Sequence, residues 1–286
     1  FNSDGYVIGN SNGYNQNSQT FVSWNWLAAG TAPSKTYTVK VVNDSGNKYR
    51  FDDFGTSAVT LEISEGGTYT FDQADSSNSG HPLRFSTTSD GTHGGGSEYT
   101  TGVTTVGTPG SAGAYTEITV AASAPTLYYY CSVHSGMGGQ ANTPTTNSFS
   151  SFDGSIQSNI SPNTTSGFSV GTCAGLATNN DTLGHGLGAV PKMIIVKNTQ
   201  ATGNWFVYHA SLGNTKRLYL NATDASTTST IWNDTTPTSS VFTMKGGDFA
   251  TGESLVFYAF AEKKGYSKFG SYTGNGSTDG TFVYTG

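Results

Sequence analysis

The heptapeptide Cys131-Ser-Val-His134-Ser-Gly-Met137 constrains this chain more than any other stretch of it. A thiol, an imidazole and a thioether placed this close together converge on one point only if the backbone turns tightly between two strands. The preceding Thr126-Leu-Tyr-Tyr-Tyr reads as the incoming strand, because aromatic residues fit a pleated, half-buried surface. A second imidazole, His81, stands upstream in Gly80-His81-Pro82, between a residue with no side chain and one with a fixed φ. One thiolate, two imidazoles and a long axial thioether form the donor set of a blue-copper centre, and soft sulfur beside imidazole selects copper over harder ions. The expected metal ligands are therefore His81, Cys131, His134 and Met137, and the expected cofactor is copper.

The rest of the chain points to β-structure. Only 11% of its 286 residues are charged, and 38 Gly with abundant Ser, Thr and Asn displace the Ala/Leu/Glu/Lys mixture that favours helices. With 16 Tyr, 16 Phe and 4 Trp it is too aromatic to be disordered. The net charge is −6 and no basic cluster exceeds Lys263-Lys264, so the electrostatic footprint of a nucleic-acid binder is missing. Apolar runs such as Met193-Ile-Ile-Val196 are strand-sized, far short of the roughly 20 residues of a membrane-spanning helix. The chain starts with Phe1 and shows no signal peptide, so it reads as a fragment or a processed product. Its two cysteines, Cys131 and Cys173, could pair in an oxidising compartment, but Cys131 has the better use as a ligand, and Cys173 reads as a small buried residue.

Internal echoes divide the chain. Gln19-Thr-Phe-Val-Ser-Trp-Asn-Trp-Leu-Ala-Ala-Gly30 aligns with Glu253-Ser-Leu-Val-Phe-Tyr-Ala-Phe-Ala-Glu-Lys-Lys-Gly265, and Gly167–Gly175 with Tyr266–Gly274. Residues 1–30 then read as the closing hairpin of an upstream β-repeat. Residues 36–142, alternating in Tyr37-Thr-Val-Lys-Val-Val and Val59-Thr-Leu-Glu-Ile, read as one sandwich. The polar stretch 141–151 reads as a linker, 153–265 as a full repeat, and 266–286 as the start of another repeat or as closing strands. The fold class expected is all-β, in tandem antiparallel sandwiches or jelly rolls.

Other chemistry is thin. Asp52-Asp53 and the remaining carboxylates show no acid/base pairing, and as adjacent strand residues these two would face opposite ways. There is no Gly-x-Ser-x-Gly elbow, P-loop or His-Glu-x-x-His, so no enzyme is expected. His93 reads as a solvated loop residue, His185 as a turn element among glycines and His209 as a partly buried side chain.

His81 followed by Tyr130-Cys131-x-x-His134-x-x-Met137 resembles the cupredoxin family, the plastocyanin and amicyanin group, over residues 36–142. The resemblance implies that Cys131 is the strong equatorial thiolate, His81 and His134 the imidazoles, and Met137 the long axial ligand. The short loop looks like that of amicyanin. Gly138-Gly139 and Gly94-Gly95-Gly96 depart from the family and imply a looser rim. A second resemblance rests on His185-Gly-Leu-Gly-Ala-Val-Pro-Lys-Met-Ile-Ile-Val-Lys, Trp205-Phe-Val-Tyr-His-Ala-Ser and Phe260-Ala-Glu-Lys-Lys-Gly-Tyr-Ser-Lys-Phe-Gly-Ser-Tyr-Thr-Gly. These look like the repeated β-domains of large structural proteins of marine bacteriophages. They imply a virion structural protein, a tail fibre or surface appendage. It would self-assemble or join other structural subunits, and meet a host-surface glycan or receptor. A secreted blue-copper protein and a bacterial adhesin are the alternatives.

Overall fold

A computed structural model describes residues 23, 25–28, 30–176, 178–246, 249 and 252–284. It is all-β. The first sandwich contains β1 (Ser34–Asn43), β2 (Asn47–Phe51), β3 (Leu61–Glu62), β4 (Thr68–Asp72), β5 (Leu83–Ser86), β6 (Val103–Val106), β7 (Tyr115–Thr119), β8 (Leu127–Cys131) and β9 (Gly139–Asn142). One sheet runs β2-β1-β4-β7-β6 and the other β3-β9-β8-β5. Both carry one parallel pair, β1 with β4 and β3 with β9, and are otherwise antiparallel. Period-two alternation turns Tyr37 and Val39 of β1, Tyr69 and Phe71 of β4, and Leu127, Tyr129 and Cys131 of β8 into one fully buried core.

That core is built from rings set edge to face. Phe51 meets Tyr129 at 5.1 Å and 73°, and Phe71 meets Phe85 at 5.5 Å and 65°. Such tilted pairs add about 0.5–1.5 kcal/mol each beyond area burial. Burying a phenol demands a partner for its hydroxyl. Tyr37 donates to the Ser150 carbonyl at 2.8 Å and Tyr129 to the Val59 carbonyl at 2.6 Å.

The second sandwich contains β10 (Phe149–Ser151), β11 (Ser158–Asn163), β12 (Phe168–Ala174), β13 (Asp181–Gly184), β14 (Met193–Asn198), β15 (Phe206–His209), β16 (Lys216–Tyr219), β17 (Thr227–Thr228), β18 (Val241–Met244) and β19 (Ser254–Phe260). Its large sheet runs β10-β11-β12-β19-β14-β15-β16-β17, and the β13-β18 pair packs on one face. The core between them holds Ile194, Val196, Tyr208, Trp232, Phe242 and Phe257. Gly171 is obligatory there, since a Cβ would sit 2.2 Å from the Phe257 ring.

The stretch expected to be a linker is a weld. Phe149–Ser151 forms β10, and Phe152 enters the first core, 5.1 Å from the Phe54 ring and 5.7 Å from Tyr37. Ser64 Oγ donates to the Ser148 carbonyl at 2.6 Å, Gln157 Nε2 to the Thr60 carbonyl at 2.7 Å, and Asn159 Nδ2 to Glu62 Oε2 at 3.1 Å. The two aromatic residues override the polar composition around them. Asp52 and Asp53 also differ from expectation: they occupy a left-handed turn after β2 (φ 49° and 57°), and pair with Lys35 and Lys40.

Most of the upstream hairpin expected over 1–30 lies outside the described residues. Residues 25–28 of it form no strand. Residues 266–284 likewise form no named strand, although Phe269 packs against Phe260 at 6.0 Å. Both cysteines are free and belong to different cores, and burial followed by Asp181 pushes the Cys173 thiol up to about 12. Among the described residues no helix is long and apolar enough to cross a membrane.

His185 is fully buried. Its Nδ1 accepts from Leu187 N at 3.2 Å, and its Nε2 lies 3.2 Å from the Thr238 carbonyl, so a neutral ring with its proton on Nε2 satisfies both contacts. Burial, only partly offset by the Thr238 carbonyl and Asp153, lowers its pKa. The unfolded imidazole takes its proton near pH 6.5, whereas the folded one resists it, so this contribution is present above about pH 6.5 and is lost as pH falls below it. In thermal melts scanned from pH 7.5 to 5, we expect the midpoint to fall less steeply for His185→Gln than for the wild type.

Candidate metal centre

Strand pairing brings the two ligand segments together. In the β5–β8 ladder Leu83 stands opposite Cys131, so the Gly80-His81-Pro82 turn, which enters β5, passes over the end of β8. Gly80 takes φ +76°, a conformation other residues adopt only with strain. Ser132 N then donates to the Pro82 carbonyl at 3.1 Å and ties the turn to the heptapeptide loop.

Three of the four expected donors converge. Cys131 Sγ lies 3.9 Å from His81 Nδ1 and 3.8 Å from His134 Nδ1. The ligand atoms of the triad lie within 4.8 Å of one another, and the imidazole centroids are 4.6 Å apart. An ion bonded at about 2.3 Å to sulfur and about 2.0 Å to nitrogen spans at most about 4.3 Å, so each sulfur–nitrogen separation is within reach. The donor set therefore fits a soft or borderline metal. Cys131 is buried, His81 half-buried and His134 exposed, which gives the cluster one face toward solvent. Burial first, and then the charge of His134, holds His81 below the usual imidazole range, which favours the neutral form that ligates. Met137 is buried in the same core as Cys131, and with His134, His93 and Asn47 it lines a surface cavity of about 470 Å³.

The ligand segments are fixed by side chains that the sequence did not single out. Tyr49 grips both: its hydroxyl donates to the His81 carbonyl at 2.9 Å, and its amide donates to the Met137 carbonyl at 3.0 Å. Burial, and next the neighbouring Cys131, raises the phenol far above its usual range and keeps it a donor. Gln73 is equally buried. Its Nε2 donates to the His81 carbonyl at 2.9 Å and its Oε1 accepts from Leu83 N at 3.1 Å, bracketing the turn from both sides. A signal for Gln73 existed in the alternation Tyr69, Phe71, Gln73, which puts a polar amide at an inward position. Asp90 Oδ1 accepts from Gly136 N at 2.8 Å, Lys48 bonds the Gly136 carbonyl, and His93 Nε2 lies 3.0 Å from the Cys131 carbonyl. His93 thus serves the loop from outside, with nothing in its local sequence to mark it. His209 takes no part; its Nδ1 accepts from Ser211 N at 3.2 Å.

Residues 139–286 match a family described as a domain of unknown function, DUF7483. The match begins just past Met137, so it takes in β9 and the second sandwich and leaves His81, Cys131, His134 and Met137 outside. No curated protein and no solved structure matches the chain.

Two substitutions test the scaffold of the centre. A Cβ on residue 138 would stand 1.7 Å from the Tyr129 carbonyl oxygen, so Gly138→Ala should destabilise the metal-free protein by about 2 kcal/mol or more in urea titrations. Tyr49→Phe removes one of the two bonds on the His81 carbonyl and should lower the affinity of the triad for added Cu(II) about tenfold in competition titrations, with the fold retained.

Proposed function

We propose, for a chain that belongs to the DUF7483 family, that it is an architectural β-protein whose first sandwich would hold one copper ion through His81, Cys131 and His134, with Met137, which lines the cavity beside His134, as a fourth donor. The observation that carries this reading is a buried, unpaired thiol faced by two imidazole Nδ1 atoms at 3.9 and 3.8 Å. Copper held by such a set supplies reversible one-electron chemistry. The chain's own residues do the positioning. Tyr49 and Gln73 hold His81, Asp90 and Lys48 hold Gly136, and burial excludes water from Cys131.

The architectural part rests on three supports. The two sandwiches are welded through Phe149, Phe152 and the bonds around Ser148, so they suit load-bearing rather than hinge motion. The low charge and aromatic cores suit an exposed, extended particle. The repeat-like segments from His185 onward resemble structural domains of marine bacteriophages. We therefore place the chain in a virion tail fibre or surface appendage, acting in assembly or host attachment, at a virion or extracellular location. A secreted or surface blue-copper carrier is the second reading, favoured by exposed His134 next to Val133, which is 56% exposed.

Titrating Cu(II) into the purified protein should produce an intense visible sulfur-to-copper band that Cys131→Ser abolishes. A wild type that stays colourless would refute the copper assignment. For the architectural assignment, the native protein should sediment with particles or filaments, and a free monomer exchanging electrons rapidly would support the carrier instead.

A further inference from the structure

The outer face of the large sheet in the second sandwich carries a second feature. Side chains that alternate away from the core form a separate apolar cluster around Phe168, Ile195, Val207 and Phe260, with Val170, Trp205 and Tyr258 packed on it. Three of its rings lie in a near-parallel row: Phe168 and Tyr258 are 6.5 Å apart at 12°, and Tyr258 and Trp205 are 6.3 Å apart at 18°. Cross-strand geometry makes the row. Val170 pairs with Tyr258, so Phe168, two residues along β12, falls on its diagonal, while Trp205 reaches Tyr258 from the far side of β14, whose Ile195 pairs with both Tyr258 and Val207.

A wall turns this face into a cleft. Trp26 stands with its ring 5.3 Å from Phe260 at 73° and 6.2 Å from Phe168. Its segment is pinned where Asn163 Nδ2 and Ser166 Oγ donate to the Leu27 carbonyl at 3.3 and 3.4 Å. Between Trp26 and Trp205 lies a cavity of about 460 Å³, within the roughly 300–1,000 Å³ typical of small-ligand sites. Trp26 itself is 44% exposed, and Tyr258 and Trp205 are half-buried, so the rings remain accessible.

The lining chooses among ligands. Every residue of the cavity is uncharged, so nothing in it would compensate a buried charge on the ligand. Its polar groups are neutral: Asn25, the Tyr258 hydroxyl and the indole N–H groups of Trp26 and Trp205 in the lining, and beside Trp205 the pair in which Asn221 accepts from Trp205 N at 2.9 Å and donates to Asn204 at 3.1 Å. Similarly oriented flat rings with neutral amide donors and acceptors at the rim match a molecule with flat C–H faces and a hydroxyl edge.

We propose that this cleft binds an uncharged glycan, with pyranose faces stacked on Tyr258 and Trp205 and hydroxyls directed to the rim amides. The site shares no residue with the metal triad and stands whether or not copper binds. It supplies the chemistry of attachment for the surface role proposed above.

The test is affinity electrophoresis of the full chain in gels containing a mixed-linkage β-glucan, a galactomannan or a dextran, with heparin as the anionic control. Wild-type protein should be retarded by at least one neutral polysaccharide and not by heparin. Trp205→Ala and Tyr258→Ala should each weaken that retardation at least about tenfold. Both variants should still melt cooperatively, with midpoints lowered by no more than several degrees as half-buried ring contacts on the outer face are lost, and the response to Cu(II) should be unchanged. A folded wild type that migrates freely in all three neutral gels would overturn the proposal, as would retardation by heparin alone or retardation that survives both substitutions. Trp emission that shifts with a proline-rich peptide but with none of the sugars would also overturn it, and would assign the cleft to a peptide. Loss of glycan binding leaves the copper reading standing, and a colourless copper titration leaves the glycan site standing.

Discussion

The antiparallel register that sets Leu83 opposite Cys131 is the constraint on which the rest of the first sandwich depends. Side chains alternate faces along a strand, so a slip of one residue would turn Cys131 out of the core and carry Leu127 and Tyr129 with it. The thiol would then lose its imidazoles, and the sandwich would lose three inward groups, Tyr129 the largest of them. Metal geometry and core packing are therefore the same specification written twice. The ring contacts of Tyr129 with Phe51 and Tyr49 defend the register energetically, and Gly138, which admits the Tyr129 carbonyl, defends it sterically.

This sharing bears on what an ion could add. Metal binding is folding energy where a small domain has too little core to stand alone. Here Tyr37, Tyr49, Phe51, Tyr69, Phe71 and Phe85 are all fully buried, and the weld adds Phe152 from the second sandwich. The ligand segments are meanwhile tied by Ser132 to Pro82, Tyr49 to His81 and Met137, and Asp90 to Gly136. A loop so thoroughly bonded within the protein would meet an ion already ordered rather than be ordered by it.

How much of this was legible in the sequence follows from where the determining signals lay. Alternation marked β1 and the stretch around β3, aromatic residues marked β8, and an apolar run marked β14, because their inward residues are large and apolar. The triad was legible because its donors are rare residues at a recognisable spacing. The clamps were not, because Tyr49, Gln73 and His93 act through carbonyl bonds fixed only by tertiary geometry. The weld was missed for a different reason: composition averaged over 141–151 is polar, whereas Phe149 and the adjoining Phe152 decide the packing. Asp52 and Asp53 were misplaced because a left-handed turn interrupts a pattern that otherwise reads as strand.

The family boundary and the weld together separate the two halves of the functional argument. The DUF7483 match opens at β9, a strand hydrogen-bonded to β8 and β3 of the first sandwich, yet it excludes every donor of the triad. The second sandwich is therefore the part that the chain shares with its family, and its outer aromatic face belongs to that shared part. The His81/Cys131/His134 cluster lies in the sandwich in front of it, outside the matched residues. Phe152, Ser148 and Gln157 bind the two sandwiches into direct contact. The His81/Cys131/His134 cluster is thereby held in a fixed pose relative to the outer aromatic face of the second sandwich. Such a fixed pose accords with the architectural role proposed above.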